Sequence, residues 1–145
     1  AGDSPHLSLM RFTYAMSLAK PGSEVMILST QRQTKKYETL CANRNVALLI
    51  HDFASDVDHD AENVKSGGRA RFSITLNGVV REEQGALAEQ YRQLHLRQNA
   101  EYAQFIIGPD NAIITVEIMR CRVCDINDVV RHFTRGEDQQ WTETS

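Results

Sequence analysis

No apolar run in this chain approaches the roughly 20 residues that a membrane-crossing helix needs. No signal peptide is legible either. Sixteen Lys+Arg stand against 19 Asp+Glu, for a formal net charge of -3. The chain therefore lacks the overall basic field with which proteins hold nucleic acid. There is no G-x-S-x-G nucleophile motif, no P-loop and no Rossmann fingerprint. No internal repeat or coiled coil is present. What is there is 145 residues, 41% hydrophobic and 24% charged, an ordinary balance for one domain around one core. The expected domain spans residues 1–135, followed by a polar, loose tail over 136–145. The expected location is cytoplasmic. The chain starts at Ala1 without a methionine, so residues that once preceded it, a targeting segment among them, are compatible with the sequence.

Cysteine is scarce: three residues, an odd number, which does not make a disulfide framework. Cys121 and Cys124 have C-x-x-C spacing but lie in a stretch, Ile113 to Ile126, that reads as strand. Residues three apart on a strand face opposite sides, so the pair does not converge on a metal or a redox partner. Asp52, Asp56, Asp58, His59, Asp60 and Glu62 start like a calcium loop. Ala61 stands where that loop needs glycine, and Gly67 where it needs glutamate. A solvated loop is the expectation, and no metal site. His51 and His95 read as ordinary histidines rather than acid–base catalysts.

The pattern along the chain is mostly strand. Leu7–Tyr14, Val25–Thr30, Asn45–His51, Ala70–Arg81 and Ala112–Ile126 read as strands. The nearly continuous apolar run Asn45–His51 predicts a strand covered on both faces. Ala54–Gly68 is polar and acidic and reads as an insertion loop. Asn77-Gly78 is a hairpin signal in isolation, with a glycine kink inside one curved strand as the competing reading. Gly85–Gln98 is the clearest helix, with Leu87, Tyr91 and Leu94 on one face. Long curved strands with inserted helices point to a small antiparallel barrel.

The chemistry concentrates in Val25-Met26-Ile27-Leu28-Ser29-Thr30-Gln31-Arg32-Gln33-Thr34-Lys35-Lys36-Tyr37. A buried strand ends in hydroxyls. Thr34 then reads as the N-cap of a helix running from Lys35 to Cys41 or Ala42. Two lysines in a first turn oppose the helix dipole, and an anion would repair that conflict. Free N–H groups, hydroxyls and lysines together make a phosphate site.

Pro5-His6-Leu7-Ser8-Leu9-Met10, Ser29-Thr30 with Thr34-Lys35-Lys36, and Asn43-Arg44-Asn45-Val46-Ala47-Leu48-Leu49 resemble the pyridoxamine 5'-phosphate oxidase-like family. The resemblance continues more weakly through Ile74-Thr75-Leu76-Asn77-Gly78 and the last long strand. It implies an FMN-binding, six-stranded antiparallel split β-barrel with short helices, mainly β. It also implies a homodimer with flavin at the subunit interface, and a kinked strand at Asn77-Gly78. The family's first strand would precede Gly2. The flavin-contacting strand of the family matches Ser8, Leu9, Met10, Arg11 and Thr13. Its hydroxyl pair matches Ser29 and Thr30, and its phosphate-holding pair matches Lys35 and Lys36 after Thr34. Arg32 is an accessory candidate, and a polar group near the flavin ring falls on Ser73.

Three departures bear on activity. Ser8 and Thr13 stand where vitamin B6 oxidases carry arginine and a substrate-binding lysine. Lys35 replaces an arginine, losing the bidentate fork. The basic C-terminal substrate motif is not recognisable. The reading is an FMN-binding protein, a flavin-dependent oxidoreductase for an unidentified small-molecule substrate, and not a true pyridoxamine phosphate oxidase. The alternative is a non-catalytic dimeric split barrel that has lost flavin or binds heme or a deazaflavin.

Overall fold

The computed structural model describes residues 6–51 and 72–144. The acidic loop and its candidate cation ligands lie outside the described residues. The elements are β1 (Thr13–Met16), β2 (Glu24–Gln31), α1 (Lys35–Ala42), β3 (Asn45–His51), β4 (Ser73–Glu82), α2 (Gly85–Gln98), a 3-10 segment (Ala100–Phe105), β5 (Asn111–Cys124), β6 (Val130–Arg135) and β7 (Trp141–Thr144). The fold is mainly β, built on an antiparallel sheet with few helices. Strand order is β1-β2-β5-β4-β3, with β6 on β5 and β7 on β6. The chain divides into two compact units: Ala1–Val46 with Gly78–Ile118, and Ala47–Asn77 with Met119–Ser145.

In the first unit β2 lies between β1 and β5. Thr13 opposes Ile27 and Met16 opposes Glu24 on one side, while Val25 opposes Glu117 and Gln31 opposes Asn111 on the other. Val25 through Leu28 are all buried, so both faces of this strand are covered. Helix α2 lays its apolar stripe on this sheet. Tyr91 packs with Val25, Ile27 and Ile113, flanked by Leu87, Leu94 and Ala15. The buried Tyr91 hydroxyl accepts from the Leu18 N–H at 2.8 Å, which satisfies it. Chain passes straight through Asn77-Gly78 inside β4, so the hairpin alternative fails. A Cβ at Gly78 would stand 2.3 Å from the Glu117 carbonyl oxygen of β5. Glycine is there because two backbones approach closely.

In the second unit β5 continues into β6, and β6 into β7. Here the sequence reading needs correction: seven strands stand among the described residues, not six, and the tail expected to be loose forms β7. The ends of β6 and β7 are tied by side chains. Arg131 grips Glu143 through two bonds of 2.9 and 2.8 Å, and the Arg135 guanidinium lies 4.8 Å from the Trp141 ring centre. Strand β5 stops at Cys124 rather than Ile126, because the Asp125 carboxylate takes the N–H groups of Asn127 and Val129 and turns the chain. Cys121 and Cys124 both lie within β5, as free thiols.

Two further expectations change. The strand expected over Leu7–Tyr14 begins only at Thr13; residues 7–12 run outside the sheet, with Leu7 and Leu9 more than nine-tenths exposed. Strand β3 is not covered on both faces. It ends the strand order, and Leu49 is 65% exposed. Among the described residues no helix is long and apolar enough to cross a membrane.

Candidate functional site

The site is built at the end of β2, where the apolar run gives way to Ser29, Thr30 and Gln31. The Thr34 hydroxyl donates to the Gln31 carbonyl at 2.7 Å and accepts from the Tyr37 N–H at 3.3 Å. One side chain thus closes the turn and caps α1, as the sequence predicts. Helix α1 buries none of its side chains. It is held instead by a brace: the Tyr37 hydroxyl meets both Glu82 carboxylate oxygens at 3.2 and 3.1 Å, and Arg32 pairs with the same carboxylate. Arg32 also donates through Nε to the Pro109 carbonyl at 2.9 Å. Its hydrogen bond with Glu82 holds its pKa above the ordinary arginine value.

A cavity of about 330 Å3 opens beside this turn. From the residues singled out in the sequence it brings together Leu9, Met10, Arg11, Ser29, Thr30, Thr34 and Lys36. Gln31, His95, Tyr102, Phe105 and Ile106 complete the lining. The volume falls at the lower end of the range for small-molecule sites. Arg11 and Lys36 give the lining two cations, and among the described residues no carboxylate lines it. Arg11 lies over the Tyr102 ring, 3.7 Å from its centre, and bonds its hydroxyl. The wall bearing Tyr102, Phe105 and Ile106 is fixed from behind. Arg92 reaches the carbonyls of Ile106 and Asn111, while the Asn111 amide donates to those of Gln104 and Ile107 at 3.1 and 2.8 Å.

The remaining sequence candidates do not line the cavity. Arg32 is committed to Glu82. Lys35 points along the helix surface to Glu38, 3.8 Å away. The Ser8 hydroxyl meets His6 at 2.8 Å. Ser73 opens β4 in the second unit. Thr13 is buried in a polar cluster with His95 and Asn99, its hydroxyl 2.8 Å from His95 Nδ1 and 3.1 Å from the Asn99 amide nitrogen.

His95, read from sequence as an ordinary histidine, is therefore both buried and part of the cavity lining. The signal lies in the helix pattern. Tyr91, His95 and Asn99 are spaced by four, so two polar residues sit on the stripe that faces the protein interior. The Asn99 amide also lies 3.3 Å from Nδ1 and donates to the His95 carbonyl at 3.0 Å. The Asn99 N–H bond occupies one lone pair of the Thr13 oxygen, leaving the Thr13 proton for Nδ1. Burial favours the neutral ring, and an Nδ1 that accepts from Thr13 carries the ring proton on Nε2.

No family profile matches the chain as a whole or in part. A pyridoxamine 5'-phosphate oxidase homolog of Schizosaccharomyces pombe is 34% identical over 155 residues, covering 94% of this chain and 82% of its own. The chain belongs to the pyridoxamine 5'-phosphate oxidase-like family. Solved structures agree on the fold. A pyridoxamine 5'-phosphate oxidase-related, FMN binding protein from Nostoc punctiforme superposes with a TM-score of 0.58 at 8% identity, over 93% of this chain and 76% of that one. A heme binding protein from Mycobacterium smegmatis gives 0.59 at 18% identity, over 76% of this chain. This chain spans only 42% of that protein's length. At these identities the likeness is one of fold, the split barrel of the family.

Burial pushes the His95 pKa from 6.5 down to about 4. Between those values the unfolded chain takes a proton that the folded chain refuses. Its contribution to stability is thus complete above pH 6.5 and is lost as pH falls toward 4. Thermal melts from pH 7 to pH 4.5 are expected to show a steeper loss of Tm for the wild type than for His95→Gln. Parallel curves would mean that the ring is not held neutral by the fold.

Proposed function

We propose that this cavity binds FMN, with the phosphate at the start of α1. The observation that carries the reading is the composition of the lining. Ser29, Thr30 and Lys36 line the cavity beside the helix N-terminus that Thr34 caps, and among the described residues no carboxylate lines it. That donor set suits a dianion bearing hydroxyls, and the Tyr102, Phe105 and Ile106 wall suits a flat ring. Membership of the pyridoxamine 5'-phosphate oxidase-like family supports the same ligand. When bound, the flavin supplies the redox chemistry; the protein holds and orients it. The activity that follows is a flavin-dependent oxidoreduction of a small molecule.

Heme is the second reading, favoured by one observation: a heme binding protein shares the fold. A deazaflavin would use the same phosphate site. The absorption spectrum of the purified protein separates flavin from heme, because flavin absorbs in the near-UV and blue while heme gives an intense Soret band.

Assembly is part of the proposal. The segment that supplies Leu9, Met10 and Arg11 to the cavity leaves Leu7 and Leu9 almost wholly exposed. A second copy of the chain, related by a two-fold axis, would cover these side chains and close the open side of the cavity. Light scattering at micromolar concentration should report a dimer; a monomer would remove the partner's half of the site.

Lys36→Ala is expected to weaken FMN binding by about 1.5–3 kcal/mol, the range for a charged hydrogen bond. Lys35→Ala should cost less, since that side chain lies 84% exposed beside Glu38. Titration of apo-protein with FMN measures both. Equal affinities in wild type and the Lys36 variant would take the phosphate away from α1.

The protein is not expected to oxidise pyridoxamine phosphate. That substrate is an anion and needs cations of its own, yet Ser8 and Thr13 stand at the positions of the vitamin B6 oxidases' arginine and lysine. Both are engaged locally, by His6 and by the His95–Asn99 pair. FMN-loaded protein under air should form no pyridoxal phosphate. Turnover near ~1 per second, ordinary for an enzyme, would refute this.

A further inference from the structure

The cavity lining combines a cation, Lys36, with a buried histidine, His95. We infer that His95 is a specificity-determining residue whose Nε2–H donates to an uncharged acceptor, a carbonyl oxygen or unprotonated ring nitrogen, on the flavin bound in the cavity. This rests on the flavin reading proposed above.

The argument begins with the hydrogen-bond inventory. A neutral imidazole has one donor and one acceptor nitrogen. Nδ1 faces the Thr13 hydroxyl at 2.8 Å and the Asn99 amide at 3.3 Å. An amide NH2 only donates, and the Thr13 oxygen already accepts from it at 3.1 Å. The amide's approach favours an unprotonated Nδ1, to which the Thr13 hydroxyl can also turn its proton, and the ring's own proton then sits on Nε2. Thr13 and His95 are both buried, so this arrangement is not exchanged freely with water. The ring lines the cavity, and its Nδ1 edge is consumed by Thr13 and Asn99. What it can offer a ligand is the Nε2–H.

A neutral donor selects differently from a cation. Lys36 rewards negative charge, whereas His95 rewards an acceptor that keeps no charge, and charging the ring is opposed by its burial. A ligand matched to both residues carries an anion and a flat ring with carbonyl or aza acceptors. Tyr102, Phe105 and Ile106 supply the apolar contact.

The test combines a tautomer measurement with FMN titration. Nitrogen-15 NMR of histidine-labelled, ligand-free protein at neutral pH should show His95 with a bare Nδ1 and a protonated Nε2. The opposite tautomer, or a charged ring, overturns the inference. On adding FMN the Nε2–H resonance should move. His95→Gln, which keeps a donor near Nε2, should bind FMN within about threefold of wild type, and His95→Phe about tenfold more weakly, the factor one neutral hydrogen bond gives. Inorganic phosphate, used as a competitor, should bind wild type and both variants alike. Equal FMN affinity in wild type and His95→Phe overturns the inference while leaving the flavin reading standing. A wild type that does not bind FMN overturns the flavin reading, and the inference with it. If the phenylalanine variant fails to fold, Thr13→Val carries the test. Removing the donor to Nδ1 should mix the tautomers and lower FMN affinity together, and an unchanged tautomer with unchanged affinity counts against the inference.

Discussion

The carboxylate of Glu82 holds the turn on which the candidate site depends. Helix α1 has no buried side chain, so no hydrophobic face fixes its position. Arg32 and Tyr37 both close on Glu82, one from the turn before the helix and one from its first turn. The Arg32 backbone N–H meets the Asp110 carbonyl at 2.9 Å and so ties the same turn to the start of β5. A partly exposed ion pair contributes about 1 kcal/mol at most to stability. Its importance here is geometric: it decides where the hydroxyl of Thr34 and the ammonium of Lys36 stand relative to the end of β2.

This brace also explains how neighbouring cations divide their work. Arg32, Lys35 and Lys36 lie within five positions, and the sequence alone makes them equivalent. The fold gives Arg32 to Glu82 and Lys35 to Glu38, leaving Lys36 to line the cavity. Arg11 arrives from another part of the chain, steadied over the Tyr102 ring. The positive character of the cavity therefore comes from two residues whose carboxylate partners are absent from the lining, not from the local density of basic residues.

Much of the fold was legible because its signals are local. The apolar run of β2, the Thr34 cap and the stripe of Leu87, Tyr91 and Leu94 each lie within a few residues, and the structure places β2, α1 and α2 within a residue of their expected bounds. The hydroxyls and Lys36 were legible for the same reason. The hairpin of β6 and β7 was not. Val130 to Arg135 carries only Val130 and Phe133 as apolar residues, with no period-two alternation, and its strand character comes from cross-strand ties to Glu143 and Trp141. The pairing of Arg32 with Glu82 was not legible, because the two lie 50 residues apart. Thr13 and His95 lie 82 apart, so neither announces the other.

Thr13 links the two halves of the functional argument. In the vitamin B6 oxidases that this chain resembles, the matching position holds a cation for an anionic substrate. Here that position is buried between His95 and Asn99. A lysine in this place would have to be desolvated beside an imidazole whose charged form burial already disfavours, and among the described residues nothing anionic lines the cavity to offset the cost. A threonine fits because its hydroxyl can accept from the amide and donate to the ring at once. The uncharged Thr13 and the buried His95 are therefore one hydrogen-bonded unit, and through His95 it borders the cavity without bringing a cation to it.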